Sequence, residues 1–247
     1  AMPARPKFKR VLVKLSGESL CCPGGFGIDP ACIAPVVAEL ASLRKLAVQP
    51  AVVIGGGNFI RGRDVLSADD RTRLIRRTTA DGMGMLATVI NALALRDALE
   101  ATGVAARVAS AFAIPGICEP FERQAAGLYL EQGGILVLAG GTGHPFFSTD
   151  MSAALRASEL DCQVLIKATK VDGVFDRDPM RHPKARKYDR LTYRKVLTDR
   201  LNVMDMPAIS LCMENGIPIL VCRLGTPGNL SRAVCGRKVG TLVTDAP

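Results

Sequence analysis

The chain has no tryptophan, three tyrosines and two histidines, His144 and His182. So few flat rings leave little on which nucleobases could stack, so nucleic acid is a poor candidate partner. So few imidazoles argue against a Ser–His hydrolase. Its eight cysteines, at 21, 22, 32, 118, 162, 212, 222 and 235, include no Cys-x-x-Cys pair. A structural zinc site of the usual spacing is therefore not expected. They read as mostly buried, reduced thiols of a cytoplasmic protein. No apolar run of membrane-spanning length is evident. The basic residues Lys7, Lys9 and Arg10 are not followed by the apolar stretch of a secretory signal. The phosphate loop ending in Gly-Lys-Ser/Thr is missing, as are the Gly-x-Gly-x-x-Gly dinucleotide fingerprint and the Gly-x-Ser-x-Gly elbow.

What is present suits an ordinary folded enzyme. With 247 residues and 48% hydrophobic content, the chain can bury a core without disulfides or structural metal. The net charge of +9 is spread along the sequence. It fits either a solvated basic surface or attraction for polyanions, nucleotides before nucleic acid.

Buried strands are predicted at residues 11–15, 51–54, 104–108, 135–138, 164–167, 217–222 and 241–244, each a short β-branched or aliphatic run. Helices are predicted from Asp29-Pro30 onward, over 82–101, 148–160, 193–201 and 208–216, and just before the last strand. Residues 177–191 read as a polar surface loop. Strands alternating with helices argue for a mainly parallel sheet covered on both faces, a three-layer α/β/α sandwich. Residues 1–8 read as a tail and 9–247 as one domain.

Four segments fall at the carboxyl ends of predicted strands, where such sheets hold ligands. They are Lys14-Leu15-Ser16-Gly17-Glu18, then Gly55-Gly56-Gly57-Asn58 with Arg61 beyond, then the glycine-rich run from Gly140 to Asp150, and Lys167 to Phe175. Glycine turns let backbone N–H groups approach phosphate oxygens, and a helix N-terminus adds favourable potential. Lys14, Arg61 and Lys167 add positive charge.

In this order and at these distances, the segments resemble the bacterial uridylate kinase family of the amino-acid kinase superfamily. The likeness spans residues 9–244 and includes Arg76–Leu86, with Asp81-Gly82-Met83-Gly84-Met85-Leu86, and Thr226-Pro227-Gly228-Asn229. It implies the amino-acid kinase fold and transfer of the ATP γ-phosphoryl group to UMP. Lys14, Leu15, Ser16 and Gly17 match the family's ATP-phosphate segment, with Gly57 and Arg61 on the ATP side. Thr169, Phe175 and Asp178 match contacts to the ATP nucleoside. Gly56 and Asp81 match UMP contacts, Asp81 at the ribose. Thr142, Gly143, His144, Pro145, Phe146, Phe147, Ser148 and Thr149 match the loop that holds UMP. His144 stands where the family usually has Asn, and Ser148 where Thr is common. Asp150 and Lys167, with Lys14, match the catalytic positions.

The resemblance also implies a homohexamer activated by GTP and inhibited by UTP, with Arg96 and Arg107 matching part of the GTP site and Glu100 replacing a His found in some members. No dedicated metal ligand is expected. Asp172, Asp176 and Asp178 read as an exposed turn, and Mg²⁺ would arrive on the ATP phosphates. Two other readings stand beside this one: a kinase of the same fold acting on a different acceptor, and a uridine-nucleotide-sensing regulator.

Overall fold

A computed structural model describes residues 5–60 and 75–245. Arg61 lies outside these residues.

The first strand, β1 (Arg10–Leu15), is buried along nearly its whole length. After it come a 3₁₀ turn (Gly17–Leu20), helix α1 (Pro30–Lys45) and strand β2 (Gln49–Ile54). Asp29 caps α1 by accepting the Ala31 N–H, and Pro30 takes the first helical position, where it has no N–H to leave unsatisfied. The long helix α2 (Arg77–Glu100) leads to β3 (Ala106–Ser110), the short β4 (Glu119–Pro120), helix α3 (Arg123–Glu131) and β5 (Ile135–Ala139). Helix α4 (Thr149–Glu159) and strand β6 (Val164–Thr169) follow. Next are β7 (Val174–Phe175), β8 (Lys187–Tyr188), β9 (Arg190–Leu191), α5 (Tyr193–Thr198), α6 (Met206–Glu214), β10 (Ile219–Arg223), α7 (Asn229–Val234) and β11 (Thr241–Val243).

Nine strands form one sheet in the order β4-β3-β5-β2-β1-β6-β10-β11-β9. All neighbours are parallel except β10 and β11. The strand period of two divides the core. In β1, Val11, Val13 and Leu15 join a cluster with Leu40 of α1, Leu95 of α2 and Leu230 of α7. Leu12 faces the opposite way, toward Ala153 of α4, Leu130 of α3, Val196 of α5 and Ile209 of α6. Helices therefore cover both faces, as the alternating pattern predicts.

Several boundaries shift for physical reasons. The predicted strand at 104–108 begins at Ala106, because the Val104 N–H closes the end of α2 on the Leu99 carbonyl. The strand predicted from 217 begins at Ile219 for the same reason: the Ile217 N–H bonds back to the Cys212 carbonyl. In both cases a left-handed glycine, Gly103 or Gly216, turns the chain out of the helix. Helix α2 starts at Arg77 rather than 82. The predicted loop 177–191 contains β8 and β9, whose partners β7 and β11 lie elsewhere in sequence.

Two expectations are corrected. At 24 residues, α2 is long and apolar enough to cross a membrane. Here Ala87, Val89, Leu95 and Leu99 are buried in the protein, which accounts for that composition. Half of the cysteines, not most, are buried: Cys21, Cys162, Cys212 and Cys222.

Candidate active site

Chain order reverses about β1, since β2 lies on one side of it and β6 on the other. Crevices of this kind, beyond the carboxyl ends of parallel strands, are where open α/β sheets place ligands. Lys14 and Lys167 are register partners across the β1–β6 pair. Each is an even step from a residue of the α4 face, Leu12 and Leu165, so both side chains leave the sheet on the α4 side. Two ammonium groups so close repel each other unless an anion lies between them.

Asp150 is that anion. It stands in the first turn of α4, where a carboxylate also meets the positive end of the helix dipole. The turn is fixed by Ser148, whose Oγ accepts the Asp150 and Met151 N–H groups, both at 3.1 Å. Lys167 Nζ donates to Asp150 Oδ2 at 2.8 Å and to the Val203 carbonyl at 2.6 Å. Lys14 Nζ lies 2.8 Å from Asp150 Oδ1, yet that oxygen receives no aligned hydrogen bond. The Lys14 contact is therefore an ion pair by distance rather than a directed bond. Burial pushes the Asp150 carboxyl up, but the two ammonium groups outweigh it and hold the pKa below the usual carboxylate value. Burial lowers the Lys167 pKa; Asp150 opposes this and Lys14 reinforces it.

Beyond β1 and β2 the backbone forms a tight cradle. A Cβ on Gly17 would lie 2.4 Å from Asn58 Oδ1 and 2.6 Å from the Gly55 carbonyl, so only glycine fits this approach. Asn58 and Asn91 exchange side-chain hydrogen bonds at 2.9 and 2.7 Å, and Asn91 also donates to the Gly55 carbonyl. This buried amide pair fastens the Gly55–Asn58 turn to α2.

On the α2 side, a cavity of about 160 Å³ is lined by Gly56, Gly57, Asp81, His144, Phe147 and Thr149, among others. Asp81 ties the wall of this cavity to α2. Its Oδ2 accepts the Phe146 N–H at 2.8 Å, and Arg77, one turn earlier, pairs with it at 3.0 Å. Arg77 also lies over the Phe146 ring. Phe146 has φ +72°, a left-handed conformation unfavourable for a bulky residue, and these contacts hold it there. At the loop's start, the Gly140 N–H donates to Thr88 Oγ1 at 2.7 Å. Larger cavities lie elsewhere, one of about 340 Å³ between Lys7 and Leu242 and one of about 1010 Å³ between α1 and α2. Size does not choose among them; converging charged groups and glycine amides do.

The model of the amino acid kinase family matches residues 9–223. The chain belongs to that family. It is 50% identical over 242 residues to a uridylate kinase from Zymomonas mobilis, covering 98% of both chains. Among solved structures it resembles the UMP kinase from Bacillus anthracis, with a TM-score of 0.92, 35% identity and 98% of each chain covered. It also resembles the UMP kinase from Ureaplasma parvum, with a TM-score of 0.87, 32% identity and 96% and 99% covered.

Within this amino acid kinase fold, Lys14, Asp150 and Lys167 are brought together, and Gly17 lies against Gly55 and Gly57. Leu15 is fully buried, so only its backbone can face a ligand. Of the predicted UMP loop, His144, Phe147 and Thr149 line the cavity. Thr142 and His144 bond to each other, Phe146 bonds Asp81, and Ser148 caps α4. Pro145 and Gly143 complete the turn between them. Thr169 ends β6, Phe175 lies in β7, and Asp178 organises the following turn by accepting the Met180 N–H. These three are not part of the Asp81 cavity.

Sequence reasoning missed Arg77, Thr88, Asn91 and Asp205. Arg77 could have been found from its i, i+4 spacing to Asp81. The others act through contacts distant in sequence. Asp205 receives the Ser148 hydroxyl at 2.5 Å and raises the pKa of Lys167 through its charge.

Proposed function

We propose that this chain is a UMP kinase, transferring the γ-phosphoryl group of ATP to UMP to give ADP and UDP. The observation that carries the reading is Asp150 held between Lys14 and Lys167, beside a cavity walled by Asp81 and the 140–149 loop.

The chemistry requires little from the protein beyond position and charge. An oxygen of the UMP phosphate attacks the γ-phosphorus; the bond from that phosphorus to the β,γ-bridging oxygen breaks, and its electrons leave on ADP. A phosphomonoester has a second pKa of roughly 6, so at neutral pH the attacking oxygen is already ionised and no general base is needed. Negative charge spreads over the transferring group, and fixed cations aimed at it lower the barrier. Lys14 and Lys167 take that role. Asp150 is the positioning residue that keeps them adjacent. Amides of Ser16, Gly17 and Gly57 cradle ATP phosphates, and the family resemblance assigns Arg61 to ATP as well. Gly56, Asp81 and the residues Thr142 to Thr149 hold UMP, and Thr169, Phe175 and Asp178 meet the ATP nucleoside.

The site suits magnesium carried on ATP. Asp205 Oδ1, buried with no hydrogen-bond donor among the described residues, is an acceptor suited to a water on a hydrated cation. Held there on ATP, Mg²⁺ would supply charge that neutralises part of the phosphates' negative charge.

The same resemblance supports a cytoplasmic enzyme of pyrimidine nucleotide biosynthesis, one domain over residues 9–247, assembled as a homohexamer. It supports GTP activation involving Arg96 and Arg107, and UTP inhibition. Neither a different acceptor nor a sensing role is favoured by relatives named for uridylate. The test is ADP formation from Mg·ATP with UMP, CMP, dTMP, AMP and acetylglutamate offered separately. Selective turnover of UMP is expected; turnover of another acceptor instead would overturn the substrate.

A further inference from the structure

On the far side of the Asn58 turn, Cys22, Asp29 and Cys32 present three ligand atoms within 4.8 Å of one another. We propose that these three residues form a binding site for a thiophilic divalent cation such as Zn²⁺, with water completing a four-coordinate shell.

Asp29 has two separate tasks. Its Oδ1 accepts the Ala31 N–H at 2.9 Å and so caps α1. Its Oδ2 is left over, and both thiols converge on it, Cys22 Sγ at 2.8 Å and Cys32 Sγ at 3.8 Å. A capping role alone explains the first oxygen but not the convergence of two sulfurs on the second. The backbone bond to Oδ1 also orients the carboxylate from behind, as outer partners do at metal centres. Zinc–sulfur and zinc–oxygen bonds of about 2.3 and 2.1 Å place tetrahedral ligand atoms roughly 3.5 Å apart, so a small inward movement closes the site.

The donors come from two locally ordered segments. Cys32 lies in the first turn of α1, and Cys22 begins a turn closed by the Gly25 N–H on its carbonyl. Cys22 is exposed and Cys32 half-buried, which gives an ion a way in and leaves room for water. Without an ion, hydrogen bonding to Asp29 pushes the Cys22 thiol up to about 11. A cation reverses that balance: it binds both sulfurs as thiolates and releases their two protons to solvent, leaving a site of net charge −1.

Filling the site would fasten segment 22–29 to α1. That segment rests on the nucleotide cradle, because Gly27 and Asn58 bond each other's backbone and side chain. The proposal does not depend on which phosphate acceptor the enzyme uses.

The test is equilibrium dialysis of the full, reduced chain against Zn²⁺, with Cd²⁺ as an ultraviolet probe of thiolate coordination. One equivalent is expected to bind, with a sulfur-to-cadmium absorption band. Cys22→Ser and Cys32→Ser should each weaken binding by more than about 100-fold, beyond the loss typical of an outer partner. Cys118→Ser should leave it unchanged. Failure of the reduced wild-type chain to bind, or absence of the cadmium band, would overturn the proposal without relying on any variant. So would binding by the two serine variants as tight as that of the wild-type chain. A Cys22–Cys32 disulfide forming in air, with no ion held by the reduced chain, would assign the pair to redox chemistry instead.

Discussion

Lys14 and Lys167 are direct neighbours on adjacent parallel strands, and each ammonium group lies 2.8 Å from a different oxygen of Asp150. The pairing register sets the two cations side by side, and the carboxylate makes that tolerable in a mostly buried place. In the proposed function, the same two cations face the phosphates of the nucleotides. Each prediction below follows from this arrangement or from the cradle and cavity next to it.

Asp150→Asn keeps the shape and removes the charge between the lysines. Breaking a buried ion pair typically costs about 3–5 kcal/mol, so the melting temperature should fall clearly. Turnover should fall by about 10²–10³-fold, in line with loss of a fixed electrostatic partner. Unchanged kcat with lowered stability would limit Asp150 to a structural role.

Lys14→Ala should lower turnover by orders of magnitude while circular dichroism remains that of a folded chain. Near-normal phosphoryl transfer would remove Lys14 from the mechanism.

Asp81→Asn should weaken UMP binding far more than ATP binding, measured by titration calorimetry with each ligand alone. Asp81 accepts the Phe146 N–H and lines the cavity assigned above to UMP, whereas Lys14 and Gly17 are not among its lining residues. Equal losses for both ligands would contradict the division of the site.

The acid limb of kcat/KM should belong to the substrate. Although burial raises it, the Asp150 pKa is held below its ordinary value by the lysines, so this group stays ionised throughout the neutral range. The UMP phosphate gains a proton as pH falls through roughly 6, and the attacking oxygen loses charge. The rate should therefore decline below that pH and be flat from there through the neutral range. His144→Asn should leave the limb in place; its disappearance in that variant would assign the limb to the imidazole.

Gly17→Ala should destabilise the fold by about 1–3 kcal/mol, the usual range for overpacking, since its Cβ meets the Gly55 carbonyl and Asn58. Chemical denaturation measures this directly. A neutral effect would mean that the cradle can widen.

Much of this was legible in the residues. Short aliphatic runs followed by glycine located β1, β2 and β5, and an aliphatic run alone located β6, because a strand buried on both faces must be apolar. Ser148 and Thr149 both offered capping chemistry at the start of α4, and the structure makes Ser148 the cap. Strands β8 and β9 were not legible, since two-residue strands owe their existence to distant partners. Arg77 and Asp205 were missed because their roles come from a side-chain pair to Asp81 and a contact with Ser148.

The sequence by itself determined the alternation of strand and helix, the glycine-rich strand ends and the charged residues that follow them, because local pattern and turn chemistry act over a few residues. Only the tertiary structure decided that Lys14 and Lys167 share a face and a register, that Asp150 lies between them, and that Cys22 and Cys32 converge on the Asp29 oxygen not used for capping. Those relations join residues far apart in the chain or in separate turns, and the packing of sheet, helices and loops brings them together.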